Sequence, residues 1–173
     1  MNIAEKAKAF AFEKHKDQVH GTRPFTFHLT EVVNALHEFG HIKDDLTAAA
    51  WLHDVVEDTA TTIEEIYETF GDRVGDLVDA LTDGEGSTRI EKKMKPYSTI
   101  PNVDGAVIVK LADRIANVRH TVSEGAVAKR YFDTYRNEHL GFTTALRKKG
   151  EALDMWKEVD VLLRIDGRPY ILK

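Results

Sequence analysis

Leu46-Thr47-Ala48-Ala49-Ala50-Trp51-Leu52-His53-Asp54-Val55-Val56-Glu57-Asp58 carries an almost wholly apolar run straight into side chains that bind metals or move protons. The apolar half predicts a helix over residues 42 to 57 whose C-terminal half is partly buried, with the histidine and the carboxylates riding on it. A buried ionised group needs an opposite charge or a metal. At about 3.6 residues per turn His53 stands over Glu57 and Asp54 over Asp58, so the four groups are expected to line one continuous strip. Asp44 and Asp45 sit near the start of this helix, where its positive end favours them.

A His-Asp dipeptide alone is weak, since a chain with 8 histidines contains about one by chance. Two further positions give it company. His28 follows the loop Gly21-Thr22-Arg23-Pro24-Phe25-Thr26-Phe27, and Asp113 lies in Val109-Lys110-Leu111-Ala112-Asp113-Arg114-Ile115-Ala116-Asn117. Two imidazoles and two carboxylates from three separate helices half-enclose a divalent cation and leave its other positions to water or substrate oxygens. The competing reading of His53-Asp54 is a buried ion pair that orients two helices.

The pattern His28, His53-Asp54, Asp113 resembles the HD-domain phosphohydrolases, an all-α helical bundle. The longer strings HDVVEDT (53 to 59) and VKLADRIANVR (109 to 119) resemble its alarmone-hydrolase branch, the hydrolase domain of the RelA/SpoT enzymes and their small stand-alone relatives of the Mesh1 type. The resemblance covers roughly residues 5 to 120. It implies removal of the 3′-pyrophosphate from guanosine tetra- or pentaphosphate, dependent on one Mn2+ ion, with Glu57, Asp58 and Asn117 acting in the site. The family usually carries an Arg-Lys pair in the loop before the first metal histidine, contacting the purine nucleotide, and a proline after that histidine. This chain has Val19-His20, a slightly shorter loop, and Leu29 after His28. Arg23 and Lys16 are the cations available to substitute.

With 173 residues, 42% of them hydrophobic, the chain suits one domain with a real core, and residues 1–173 are read as a single unit. The net charge of -5, with Lys and Arg interleaved among acids, argues against nucleic acid as a stable partner and is compatible with a purine nucleotide. The N-terminal residues lack a signal-peptide core and no apolar run is long enough to span a bilayer, so the expected location is cytoplasmic, with no membrane partner. The absence of cysteine excludes disulfides and thiolate ligands. Histidine and carboxylate remain, a donor set that favours harder metals such as Mn2+.

Helical periodicity dominates and the fold class is all-α. Ile3 to Lys16 places Ala7, Phe10 and Ala11 on one face, the loop 19 to 27 follows, and His28 opens an amphipathic helix with Val32, Val33, Leu36 and Phe39, capped by Gly40. Thr61-Thr62-Ile63-Glu64 reads as a capping box for a helix to Phe70, and Gly71-Asp72 separates it from Val74 to Leu81. Residues 84–102, with Gly84, Gly86, Pro96 and Pro101, read as a mobile loop or a short helix with flexible ends. It is either a solvated linker or a lid whose Lys92, Lys93 or Lys95 meets phosphate. A helix from Val103 buries Val107, Leu111, Ile115 and Val118 and puts Asp113 and Asn117 on one face. Helices at about 128 to 148 and 151 to 165 close the bundle, and Gly167-Arg168-Pro169 ends it.

The assembled expectation is that His28, His53, Asp54 and Asp113 hold the metal and Glu57 and Asp58 do the acid and base work. Asn117, Arg23, Lys110, Arg114 and Tyr135 are the candidates for touching substrate. Lys129, Arg130, Tyr135 and Arg136 form a basic-aromatic group that is either helix surface or a phosphate and base contact. His15, His20, His37, His41 and His139 are expected at the surface, and His120 is a further candidate for substrate contact. Two alternative functions stay open on sequence alone: an HD nucleotidase or deoxynucleoside triphosphohydrolase, and a non-catalytic nucleotide-binding module.

Overall fold

The computed structural model describes residues 2–148 and 150–164, and of residues 126 and 127 the backbone only. In order the chain forms α1 (Ile3–Lys14), β1 (Val19–His20), β2 (Arg23–Pro24), α2 (Phe25–Glu38), α3 (Asp44–Leu52) and α4 (Val55–Asp58). There follow α5 (Ile63–Phe70), α6 (Asp72–Leu81), α7 (Arg89–Thr99), α8 (Ala106–Glu124), α9 (Lys129–Leu146) and α10 (Leu153–Leu162). The all-α expectation holds, since the two strands are a two-residue antiparallel ladder, Val19 opposite Pro24 and His20 opposite Arg23. Among the described residues no helix is long and apolar enough to cross a membrane.

Helix α8 runs through the middle, against α2, α3, α6, α9 and α10. Helix α3 is buried from Leu46 to Leu52, and the fully buried Ala48, Ala49 and Ala50 present no bulk on any side. That lets α1, α2, α6 and α8 all press against it, as befits a helix apolar all round. Trp156, Phe132 and Phe142 are the largest of the fully buried side chains among the described residues, with Phe142 and Trp156 ring centres 5.4 Å apart.

The expected continuous helix over residues 42 to 57 breaks at His53-Asp54. The His53 Nδ1 hydrogen bonds to the Ala50 carbonyl at 2.8 Å, the carbonyl that an uninterrupted helix would offer to the Asp54 amide. Asp54 leaves helical geometry at φ -103°, ψ -3°, and the single turn α4 restarts behind it. The strip expected of His53, Asp54, Glu57 and Asp58 therefore has a corner in it, and the corner is where the His-Asp pair projects.

Within residues 84–102 the helical alternative is the one observed, from Arg89 to Thr99. Thr88 and Glu91 form a reciprocal capping box at its start. Pro96 inside α7 cannot donate to the Lys92 carbonyl, and the Gly84 amide takes that carbonyl instead at 2.9 Å. A Cβ at Gly84 would crowd Lys95 Cβ at 3.0 Å, and one at Gly86 would stand 2.5 Å from Glu91 Cβ, so the close approach to α7 demands glycine at 86. Thr62 caps α5, one residue later than the expected box, and Gly71 at φ +80° makes the sharp turn into α6. Helices α9 and α10 match the two expected closing helices to within a few residues, and Gly167-Arg168-Pro169 lies outside the described residues.

Two histidines expected at the surface are buried. His15 stacks on Phe25 with ring centres 4.5 Å apart and its Nδ1 meets Gln18 Oε1 at 2.6 Å. His139 hydrogen bonds through Nε2 to Asp160 Oδ1 at 2.8 Å, tying α9 to α10. Each has one ring nitrogen bonded, His15 to a local partner and His139 to a tertiary one, and the other nitrogen has no hydrogen-bond partner among the described residues.

Candidate metal centre

Three segments deliver one cluster. The β1–β2 hairpin turns the chain into α2 and leaves His28 in that helix's first turn, the α3–α4 corner projects His53 and Asp54, and the middle of α8 supplies Asp113. His53 Nε2 lies 3.4 Å from His28 Nε2, 3.1 Å from Asp54 Oδ2 and 3.6 Å from Asp113 Oδ1. His28 Nε2 lies 3.5 Å from Asp54 Oδ2 and 3.6 Å from Asp113 Oδ1. Donors about 2.1 Å from an ion stand roughly 3.0 Å apart at right angles and roughly 3.4 Å apart in a tetrahedron. His28, His53 and Asp113 each offer an atom to one such group, and Asp54 flanks it against both imidazoles. The Nδ1 bond to Ala50 fixes the His53 tautomer that leaves the Nε2 lone pair facing the cluster. Nitrogen and carboxylate donors without sulfur fit a divalent cation of the harder or borderline kind.

The charges around the cluster are as directed as its geometry. Asp113 receives Lys110 Nζ on Oδ2 at 3.0 Å and Asn117 Nδ2 on Oδ1 at 2.5 Å, so both neighbours four or fewer residues away orient the carboxylate. Burial works to raise the pKa of Asp113, but Lys110 and then the two imidazoles hold it well below the usual carboxylate range. Burial opposes ionisation of Asp54 as well, and His53 and His28 outweigh it. For His53, burial pushes the pKa down while Asp54 and Asp113 push it further up, and the net is well above the ordinary value. The carboxylates thus create a field that favours positive charge where the four donors meet, and a divalent cation satisfies the same field.

Around this point is a cavity of about 200 Å³. Glu57 and Asp58 are exposed residues that line it, and desolvation of their carboxyls followed by repulsion from Asp54 raises both pKa values. The Asp83 amide donates to Glu57 Oε1 at 2.8 Å and fixes it. Asn117, Lys110, Arg114 and Tyr135 line the same cavity, so nine of the eleven sequence-derived site residues line it, His53 stands behind it 3.1 Å from Asp54 Oδ2, and Arg23 lies elsewhere. Arg23 is exposed, its guanidinium 4.3 Å from the Phe27 ring centre, in a neighbouring cavity of about 290 Å³. Lys110 is engaged with Asp113. Of the expected lid lysines, Lys93 lines the cavity, and Lys95 is drawn to Asp79 at 2.7 Å. From the group on α9 only Tyr135 reaches in, while Lys129 pairs with Asp133.

Three residues near the cluster escaped sequence reasoning. His20 stacks face to face on His28, with ring centres 4.8 Å apart and planes 12° apart, and stands edge-on to His120. Arg89 lines the cavity from α7, and Glu138 on α9 holds it there. The position of His20 immediately before Gly21 in a loop leading to His28 was the only signal for the first. The other two have none in the local pattern.

The sequence matches the HD domain family over residues 7–137. Over 116 residues it is 39% identical to the guanosine-3′,5′-bis(diphosphate) 3′-pyrophosphohydrolase MESH1 of Danio rerio, a match covering 64% of each chain. The human protein of the same name is 39% identical over 119 residues, 65% of this chain and 66% of that one. The match therefore spans just under two thirds of those relatives' length. The guanosine-3′,5′-bis(diphosphate) 3′-pyrophosphohydrolase of Aquifex aeolicus is 37% identical over 123 residues, 66% of this chain and 17% of that much longer one. A solved structure described as a metazoan ortholog of SpoT that hydrolyzes ppGpp superposes with a TM-score of 0.78 at 24% identity, over 96% of this chain and 97% of that one.

Proposed function

The chain belongs to the HD-domain family, and from that premise we propose that it is a metal-dependent hydrolase that removes the 3′-pyrophosphate from guanosine 3′,5′-bis(diphosphate) or a related alarmone in the cytoplasm. The observation that carries this reading is the grouping of one ligand atom each from His28, His53 and Asp113, with Asp54 Oδ2 3.1 and 3.5 Å from the two imidazoles, beside a second pair of carboxyls, Glu57 and Asp58. The names borne by relatives at 39% identity support the choice of substrate.

His28, His53, Asp54 and Asp113 would hold one divalent ion, and we propose Mn2+. When bound, the ion supplies Lewis acidity, polarising a phosphoryl oxygen and acidifying a water. Lys110 and Asn117 keep the Asp113 carboxylate aimed and ionised. Glu57 and Asp58 orient the attacking water and take its proton. Their raised pKa values suit them to carry that proton, and one of them in its acid form delivers a proton to O3′. The bond from water oxygen to phosphorus forms, the bond from phosphorus to the ribose O3′ breaks, and pyrophosphate leaves. Asn117 and Tyr135 sit where they can orient the nucleotide as it enters.

The test is to incubate purified protein, with Mn2+ or with EDTA, against guanosine 3′,5′-bis(diphosphate), its adenosine counterpart and a panel of nucleoside triphosphates, resolving products by chromatography. Pyrophosphate released from the 3′ position in Mn2+ and not in EDTA is the expected result. Cleavage confined to the triphosphates would replace this reading with that of a different HD phosphohydrolase, and binding without cleavage would replace it with that of a nucleotide-binding module.

A further inference from the structure

We propose that Arg114 and Arg89, sharing Glu138 as their counterion, form an anion seat in the wall of the metal cavity that takes a phosphate group of the substrate other than the one being cleaved, with Glu138 setting the seat's affinity. The assignment of the seat to substrate rests on the nucleotide-hydrolase reading above. Arg114 is 4% exposed and its guanidinium is clamped between the rings of Tyr135 and Phe142, 4.7 and 4.3 Å from their centres. Its Nη1 is enclosed and has no hydrogen-bond partner among the described residues. The facing carboxylate, Glu138 Oε2, stops at 3.6 Å, beyond hydrogen-bonding range.

Glu138 stops short because Arg89 holds it. Arg89 Nε and Nη2 donate to its two oxygens at 2.5 and 3.2 Å. One carboxylate thus faces two guanidinium groups, leaving a net positive charge on a pair of arginines that both line the cavity, with the Arg114 Nη1 beside Glu138 still lacking a hydrogen bond. Buried donors of that kind are rare because they are costly, and an acceptor arriving with the ligand removes the cost. The other two cations of the wall are engaged, Lys93 with Asp83 at 2.8 Å and Lys110 with Asp113 at 3.0 Å.

Arginine forks match phosphate oxygens, so a phosphate is the anion this pair suits. The scissile group belongs at the metal donors, which leaves the seat to a separate phosphate on the same molecule. The chemical class is a nucleotide carrying phosphate on two arms. Arg114 cannot move within its ring clamp, whereas Arg89 is 48% exposed and can turn from Glu138 toward an incoming oxygen. Glu138 therefore competes with the substrate for Arg89.

The first measurement is independent of turnover. Wild type, Glu138→Gln and Arg89→Gln, each treated with EDTA, are titrated with inorganic pyrophosphate by calorimetry. Glu138→Gln should bind about tenfold more tightly and Arg89→Gln about tenfold more weakly than wild type. Unchanged or weaker binding by Glu138→Gln, or unchanged binding by Arg89→Gln, overturns the proposal. In Mn2+ the same three proteins are then compared on guanosine 3′,5′-bis(diphosphate) and on guanosine 3′-diphosphate, which lacks the second arm. The preference in KM for the two-armed substrate should widen in Glu138→Gln and narrow in Arg89→Gln, and equal preferences in all three overturn the proposal. Failure to cleave either nucleotide would defeat the hydrolase reading while the pyrophosphate titration still decides the seat.

Discussion

The metal cluster and the wall that α7 and α9 build beside it hold charge in different ways. In the cluster His28, His53 and Asp113 are buried and Asp54 is half-buried, and each faces another member of the cluster at 3.1 to 3.6 Å. In the wall Arg89 is 48% exposed, while Glu138 at 24% matches the cluster's Asp54 at 23%, and the pair joins residues 49 apart in the chain. A buried charge that loses its partner is strongly destabilising, whereas an exposed ion pair contributes little. The cluster is therefore built to keep one geometry, and the wall is built to exchange partners at low cost.

That contrast breaks most readily at Asp54. Asp54→Ala removes a carboxylate that faces both imidazoles, and it should abolish metal retention through gel filtration, measured by elemental analysis, and reduce turnover to background. Glu57→Ala leaves the four donors in place, so the protein should keep its metal and lose about 10²- to 10⁴-fold in kcat, the usual range for losing a positioned acid or base. Equal metal loss in both variants would mean that Glu57 is a ligand and that the division between holding metal and moving protons is wrong.

The two regions also differ in how far sequence alone exposed them. HDVVEDT and VKLADRIANVR are short local strings, so His53, Asp54, Glu57, Asp58, Asp113 and Asn117 could be found from spacing and family pattern, and His28 followed from the pattern they complete. The corner at His53 was hidden because no glycine or proline marks it. A histidine ring competing for the Ala50 carbonyl makes the break, and that competition has no periodic signature. Gly84, Gly86 and Pro96 left loop and short helix open for α7, and the choice rests on the Gly84 amide serving the carbonyl that Pro96 leaves. The Arg89–Glu138 pair and the His20–His28 stack are tertiary contacts between segments with no shared pattern.

A gentler way to sharpen the comparison is pH. Without metal, His53 has a pKa raised above its ordinary 6.5, so its contribution to stability is complete below about pH 6.5 and fades as pH rises through the raised value. Asp54 and Asp113 are depressed below 3.8, and their contribution is present above that value and fades as pH falls through the depressed ones. The EDTA-treated protein should therefore melt at lower temperature as the buffer is taken from about pH 6 to about pH 9. A bound cation replaces the imidazole proton, so Mn2+ affinity should climb by about tenfold per pH unit for each proton displaced while that proton is still held. The melting temperatures with excess Mn2+ and with EDTA should diverge as pH rises. Parallel curves would show that the donors do not exchange protons for metal.

The smallest effect is expected at the rim of the wall. Thr88 accepts the Glu91 amide at 3.2 Å, and Glu91 Oε2 accepts the Thr88 amide at 3.0 Å, so Thr88→Ala opens one half of the box that starts α7. The cost should be about 1 kcal/mol, a fall of roughly 2 to 4 °C in melting temperature for a chain of this size. Arg89 and Lys93 ride on that helix and line the cavity, so loosening its first turn should raise KM for the two-armed nucleotide more than it lowers kcat. Metal content should stay at the wild-type level, because no donor to the cluster comes from α7. If Thr88→Ala instead sheds metal, the Asp83 amide that holds Glu57 and the Lys93 that holds Asp83 carry strain from the wall into the cluster, and the two regions act as one.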